Sequence, residues 1–443
     1  MERHKVNATI VGGYGGMGQI FAKLFKEEGF DVTISGPTEE KGEKASVELG
    51  VEYVKDNVDA VADADVVVVT VPIKRTLDVI REVAPHLKPD SLLMDLTSVK
   101  KMPCDAMLEH AKKNVEVLGA HPMFGPRAAG VEGQVVILTP VRSKRWVGFV
   151  EDLLRRHRVK VFNSTPEEHD RIMAVVQGLT HLSYIAFGKT LQEMNFDIKK
   201  SRNFSSPIYE LMLDMAGRII GQDPRLYAEI QMTNPYTKEV HRVFIKTLAD
   251  LSSIIEENDE EKFVEMMVDA ARHFDDVDRA MGRSDKAIES LVLELEKLKE
   301  SIGKELCLQH IYSGMKHLGV VRNVTADSVV LEDNGRMSTL KLSNIRVLGD
   351  KERIEFKTQK YGTTLRDFSA VIDSGADEFF IASLLGSFSD AIVSVNIKDV
   401  YSGPKIGDNR KSVCFSVELI NVNTKEIESL VREFLSKIGG KLR

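Results

Sequence analysis

Residues 10–19 read IVGGYGGMGQ, five glycines in ten positions, directly after the short run VNAT. Such a density suits neither a helix nor a strand interior, because glycine adds backbone entropy and packs nothing. With a strand before it and the amphipathic stretch QIFAKLFKEEG after it, it fits a strand–turn–helix junction whose bare backbone approaches a bound anion. Gly13, Gly15 and Gly18 satisfy G-x-G-x-x-G. In that pattern Gly13 makes the tight turn, Gly15 admits a pyrophosphate and Gly18 lets the helix pack close to the strand. A dinucleotide site is predicted; the alternative is a purely structural turn.

The surroundings extend this reading. From Val6 to about Pro166 short β-branched runs (VNATIVG, FDVTIS, ADVVVVTVP, SLLMDLTS, VEVLG, QVVILTP, VKVFNS) alternate with helical stretches. Several are apolar on both faces, as in a buried parallel sheet. An α/β Rossmann domain is predicted over 1–165. Strand signals then stop, and 166–303 reads as an all-α domain whose very apolar helices suit a dimer interface. A small β element with an Asn334-Gly335 hairpin follows over 304–352. The last part, 353–443, reads strand, helix, strand, strand, helix and a possible last strand, a ferredoxin-like α+β pattern.

Composition narrows the partners. The net charge of −7 gives no reason to expect nucleic acid or an anionic membrane as the main partner. No apolar run approaches the roughly 20 residues of a membrane span. Arg3, His4 and Lys5 precede only a short apolar stretch, read as a first strand and not a signal peptide. Cys104, Cys307 and Cys414 are scattered and form no CxxC, so neither a disulfide framework nor a metal site is expected, and a reducing cytoplasm fits.

The run FDVTIS ends in Ser35, where a carboxylate would hold the ribose of NAD. Ser35 and Thr38 are therefore expected to bond a phosphate, with Lys41 and Lys44 adding charge; the loop has no arginine. NADP is the favoured cofactor and NAD the alternative. Tyr14, Gly16, Met17, Gly36, Val71 and Pro72 complete the predicted cofactor site.

Three polar stretches interrupt apolar surroundings. In DLTSVK, Ser98 follows a buried strand, where ligands bind in such sheets; its bland role is a helix N-cap. In GAHPMFGP, His121 also follows a strand end and suits a general base near neutrality, although a lone histidine is more often structural. In VVQGLTHLSY, Gln177 and His181 are four residues apart and share a helix face; satisfied core polarity is the competing reading. Arg218, inside the apolar run MAGRII, needs a carboxylate or phosphate partner.

The segments GGYGGMG, DLTSVK, GAHPMFGP, EEHDRIMAVVQGLTHLSYIAFG and SSPIYELMLDMAGRIIGQDPRLYAEI together resemble prephenate dehydrogenase over about residues 6–290. The bacterial form fused to chorismate mutase is especially similar, with no chorismate mutase segment read before the loop. The resemblance implies oxidative decarboxylation of prephenate to 4-hydroxyphenylpyruvate, with hydride passing to the nicotinamide. It makes His121 the base at the ring hydroxyl and Ser98 a hydrogen-bonding partner of both. It assigns Arg218 to the ring carboxylate, and His181 with Gln177 to the pyruvyl side chain. Arogenate is the alternative substrate. A β-hydroxyacid dehydrogenase would instead need a lysine on the first interdomain helix, where Lys189 lies two turns past His181.

The tail motifs LRDFSAVID, DVYSGPKIGDNRKSVCFSVEL and KIGGKLR resemble the ferredoxin-fold anticodon-binding domain, departing from it at NVNTKEIESL. From Glu355 onward basic and acidic residues number twelve each, a poor charge balance for RNA. A regulatory or oligomerisation module is expected in place of a tRNA binder. A redox-sensing module with an RNA-binding tail is the non-enzymatic alternative.

Overall fold

The computed structural model describes residues 5–128, 130–274, 276–325 and 327–442. The chain divides into two compact units, one up to Ile288 and one from Glu289.

The first unit is organised by a sheet of β1 (Asn7–Val11), β2 (Asp31–Ser35), β3 (Glu52–Val54), β4 (Val66–Val69), β5 (Leu92–Asp95), β6 (Glu116–Pro122), β7 (Val135–Arg142) and β8 (Lys160–Asn163). Their order is β3-β2-β1-β4-β5-β6-β7-β8. All neighbours are parallel except β6 and β7. Chain order reverses between β1 and β4, which opens a crevice beyond their carboxyl ends. Register makes that edge flush: Val11 lies opposite Ser35 and Val69, Val69 opposite Asp95, and Asp95 opposite Gly119.

The central strands are buried on both faces, which is why VVVV and LLM lack alternation. The helices on the sheet are α1 (Gly16–Glu27), α2 (Glu39–Leu49), α3 (Asn57–Val61), α4 (Ile73–Val83), α5 (Lys101–His110) and α6 (Arg145–Arg156). One core gathers Ile10, Ile34 and Val68 with Phe21, Phe25, Trp146 and Leu153. The other gathers Val67, Val69 and Leu93 with Val79, Ile80, Val83 and Met107. Each such side chain contributes about 1.5–3 kcal/mol when fully buried.

The sequence misses β3: three half-exposed residues at a sheet edge carry no apolar run. His121 is also corrected, since it lies within β6 opposite Ile137 and not beyond the strand end.

The helical region begins with α7 (Pro166–Met173), which passes through a π-helical segment, Ala174–Leu179, into α8 (Thr180–Glu193). There follow α9 (Ile198–Ser201), α10 (Pro207–Ile220), α11 (Pro224–Thr233), α12 (Thr237–Glu256), α13 (Glu260–His273) and α14 (Val277–Glu300). Helices α8 and α13 bury no residue fully, and α10–α13 expose Ile208, Met232, Val243, Ile245 and Met267. Among the described residues no helix is long and apolar enough to cross a membrane, and no His, Cys, Asp and Glu group is placed to hold a metal ion.

In the second unit β9 (Glu305–His310), β10 (Lys316–Val324), β11 (Ser328–Asp333), β12 (Arg336–Lys341) and β13 (Ile345–Val347) form an antiparallel sheet ordered β12-β11-β10-β9-β13. Asn334 and Gly335, at φ 51° and 80°, make the turn between β11 and β12, as the Asn-Gly pair predicts. Next come α15 (Asp350–Tyr361), β14 (Thr363–Asp373), α16 (Glu378–Gly386), β15 (Ile392–Tyr401), β16 (Arg410–Ile420), α17 (Thr424–Lys437) and β17 (Lys441–Leu442). The second sheet is antiparallel, ordered β15-β16-β14-β17. Its core joins Phe368, Phe415 and Val417 to Leu385, Val431 and Leu435. Residues 353–361, read as the start of a strand, are helical. Glu352 accepts from the Gly349 amide at 3.2 Å and fixes that start.

A Cβ on Gly18 would lie 2.7 Å from Gly13 Cα and 2.8 Å from the Gly12 carbonyl oxygen, both backbone. Gly18→Val is expected to cost about 1–3 kcal/mol of stability and to weaken nucleotide binding. Denaturant unfolding followed by Trp146 fluorescence, with nucleotide titration, checks both.

Candidate active site

The glycine loop is closed by its own backbone. Gly12 N donates to the Ser35 carbonyl at 2.8 Å, Gly13 N to Ile10 at 3.1 Å and Gly15 N to Gly12 at 2.9 Å. Gly12, at φ +79°, is the residue in left-handed conformation. The turn role expected of Gly13 therefore belongs to Gly12; Gly13 instead leaves room for Ile34, whose Cγ2 a Cβ would meet at 2.5 Å. α1 starts at Gly16, so the amides of Gly16, Met17 and Gly18 head the helix as an anion site.

In front of the loop lies a cleft of about 740 Å³ lined by Tyr14, Gly15, Gly36, Lys41, Val71 and Pro72. These are six of the predicted cofactor contacts. Thr70, Lys55, Asn57 and Arg75 also line it. A cleft of this size with an unpaired helix start fits a dinucleotide. Ser35 does not face it. Its side chain is fully buried and its hydroxyl donates to Asn57 Oδ1 at 3.0 Å, so the phosphate contact expected of Ser35 is corrected. Thr38 is exposed and its amide donates to the Tyr14 hydroxyl at 3.3 Å, without lining the cleft. Lys44 lies near Glu48 on α2. Arg75, from α4, is an arginine on this cleft.

Past the cleft, the ends of β5 and β6 carry a buried polar cluster. Lys100 Nζ donates to Asp95 at 2.5 Å and to the Ala120 carbonyl at 2.7 Å, with both charged side chains fully buried. His121 is 3% exposed. Its Nδ1 lies 2.9 Å from His169 Nε2, and its Nε2 lies 3.3 Å from the Gln177 amide nitrogen. His169 Nδ1 is 2.8 Å from Asp170 Oδ1. Asp170 also accepts from the amides of Lys100 and Lys101, at 2.7 and 2.9 Å. It therefore caps α5 from a distant helix. Ser98 corrects two expectations: it neither caps α5 nor bonds to His121, and its half-buried hydroxyl has no hydrogen-bond partner among the described residues.

The π-helical segment places Gln177. Gly178 packs on Thr237, whose Cγ2 a Cβ would meet at 2.9 Å, and the Gly178 carbonyl accepts from Gln231 at 2.9 Å. Gln177 thus lies within a π turn, so the four-residue spacing to His181 does not run along a regular α-helix. His181 stacks edge-on against Tyr227 of α11, with centroids 4.7 Å apart. Gln177 Oε1 and His181 Nδ1 are buried without hydrogen-bond partners among the described residues. Buried polar atoms of this kind want a ligand or water. Arg218 corrects a further expectation: it is exposed on α10 and forms no ion pair among the described residues. Its charge pulls on the Tyr227 hydroxyl, although burial outweighs it and raises that group.

Burial pulls His121 well below its ordinary range, and the charge of the neighbouring Lys100 adds to this. Burial lowers His181 as well. The imidazole of His121 is therefore neutral at neutral pH.

Residues 21–163 match the family model for the prephenate dehydrogenase nucleotide-binding domain, and residues 165–269 match that for its dimerization domain. The chain belongs to the prephenate dehydrogenase family. A probable arogenate/prephenate dehydrogenase of Methanocaldococcus jannaschii is 41% identical over 450 residues, spanning all of both chains. The T-protein of Haemophilus influenzae is 34% identical over 262 residues, 59% of this chain and 65% of that protein. A prephenate dehydrogenase crystal structure from Aquifex aeolicus superposes with TM-score 0.51 at 25% identity, over 61% of this chain and 99% of that one. Membership makes this prephenate dehydrogenase relative an NAD(P)-dependent dehydrogenase with a pyridine nucleotide as cofactor.

His169, Asp170 and Tyr227 are the site residues that the sequence reading gave no role. The adjacent His-Asp pair and its place in the quoted EEHDRIM segment were the available signals.

Because His121 is held neutral when folded but titrates near 6.5 when unfolded, the unfolded chain binds more protons below that pH. Stability from this group is present above pH 6.5 and lost as pH falls through it. Wild type is expected to lose more unfolding free energy than His121→Asn between pH 7 and pH 5, measured by denaturant titration.

Proposed function

We propose that the protein oxidises and decarboxylates prephenate to 4-hydroxyphenylpyruvate, with NADP as the preferred acceptor. The observation that carries this reading is a buried, neutral His121 on β6, two strands from β4 in the sheet whose edge holds the cleft, with its Nε2 met by the Gln177 amide. The nicotinamide, when bound, supplies the acceptor for the C4 hydride.

His121 Nε2 takes the C4 hydroxyl proton while the hydride leaves. The carbon–carboxylate bond breaks, its electron pair aromatises the ring, and CO2 departs. The proton returns to the phenolate oxygen, so atoms and charge balance. Ser98, whose hydroxyl is unpaired, is assigned to the same substrate hydroxyl. Arg218 is assigned to the ring carboxylate, an interaction suited to its fork. Gln177 and His181, with their orphaned buried atoms, are assigned to the side chain. Arogenate remains the alternative substrate.

Lys41, Lys55 and Arg75 support NADP, being three cations on a cleft that also carries Asp56 and Glu82. Among the nearby carboxylates, Glu39 is paired with Lys55 at 2.8 Å and Asp56 caps α3. The other predicted contacts, Gly13, Gly16, Met17, Gly18 and Thr38, act through the loop and the two helix starts.

We also keep the division at 165, 303 and 352, a homodimer through the exposed apolar helices, and a cytoplasmic location. The 4-1-3-2 order of β14–β17 supports a ferredoxin-like tail, and its balanced charge supports a regulatory or oligomerisation role over tRNA binding.

Assays of prephenate and arogenate with NADP and NAD, followed by absorbance of the reduced nucleotide, test the reading. Turnover fastest with prephenate and NADP is expected; none with any pairing overturns it. His121→Asn should lower kcat by about 10²–10⁴ with nucleotide affinity kept. Arg218→Ala should raise KM by roughly tenfold or more, the worth of a charged hydrogen bond. Arg75→Ala should weaken NADP more than NAD.

A further inference from the structure

His121, taken as the base, meets substrate through one ring nitrogen; the other is held by residues outside that assignment. Hydrogen-bond accounting fixes the proton at each atom. The amides of Lys100 and Lys101 can only donate, so both Asp170 oxygens accept. Oδ1 also faces His169 Nδ1 at 2.8 Å, so that nitrogen carries the hydrogen. With the one hydrogen of its ring committed to Asp170, His169 presents a bare Nε2 2.9 Å from His121 Nδ1, which donates to it. His121 Nε2 is left bare, facing the donor amide of Gln177 at 3.3 Å.

We propose that His169 and Asp170 are positioning residues that hold His121 as its Nδ1–H tautomer, so that an unprotonated Nε2 faces the substrate hydroxyl. In neutral histidine the hydrogen bond at one nitrogen decides the state of the other. Here that bond is set by an anchored carboxylate two groups away. His169 and Asp170 are 1% and 0% exposed, so water does not compete for the chain. When Nε2 takes a proton, the imidazolium keeps its Nδ1–H bond to His169, and Asp170 lies at the end of the chain as the counter-charge. Lys100 faces the same ring from the β5–α5 junction, its charge matched by Asp95. The Gln177 amide occupies the direction that the hydroxyl will take.

The experiment uses the full chain. Nitrogen NMR of isotope-labelled histidine reads the tautomer of wild-type His121, assigned by its loss in His121→Asn. A hydrogen on Nδ1 is expected; a hydrogen on Nε2 overturns the proposal, and this reading needs neither substrate nor a His169 variant. His169→Leu removes the acceptor and should move the hydrogen to Nε2, lowering kcat roughly 10²–10³-fold with KM unchanged. His169→Gln restores an acceptor oxygen and should recover kcat to within about tenfold of wild type. Wild-type kcat in His169→Leu, with His121→Asn inactive, overturns the positioning role alone. Wild-type kcat in His121→Asn overturns the base reading on which it rests.

Discussion

The site depends on one buried carboxylate. Asp170 takes the amides of Lys100 and Lys101 at the start of α5 and the Nδ1 side of His169 on its side chain, while its own carbonyl accepts from Asn234 at 2.7 Å. Asn234 in turn accepts from the Tyr236 amide, and its carbonyl from Thr237, at the head of α12. A single residue thus ties the β5–α5 junction of the sheet to α7 and to the α11–α12 turn. An uncompensated charge buried there would cost several kcal/mol. The pairing is therefore not a local detail: moving α7 away from α5 would strip the carboxylate of its donors and the helix of its cap together.

The cofactor cleft and the base occupy one flush edge because the register between β1, β4, β5 and β6 is unbroken. The loops after those strands start level, and each lends a different chemistry. The glycine loop offers amides, the β4 end offers Val71 and Pro72, the β5 end buries Lys100 against Asp95, and β6 carries His121. The loop beyond β6 also returns to the glycines, since a Cβ on Gly16 would meet Pro126 Cβ at 2.5 Å. The base and the anion site are thereby spaced by backbone packing.

Much of this was legible in the sequence where local rules govern. Uninterrupted β-branched runs gave the buried strands, the glycine spacing gave the nucleotide loop, and Asn334-Gly335 gave a hairpin. The misses share a cause: they are decided by distant partners. Ser35 looks available in sequence, yet Asn57 from the next crossover covers it. Ser98 stands where caps stand, yet Asp170, some seventy residues on, takes that task. Arg218 sits among apolar residues whose exposed face no single-chain pattern can reveal. The short edge strand β3 has too little burial to leave a pattern at all.

The π-helical segment has a consequence for the evolution of such a site. Its extra residue is a phase shift: winding Ala174–Leu179 as regular α-helix, with no residue removed, would rotate all of α8 by about 100° relative to α7. His181 would swing off Tyr227, while the Asp170–His169–His121 chain, anchored upstream, would stay in place. The base and the side-chain subsite are therefore separable by a change in helical phase, without replacing a single polar residue in either.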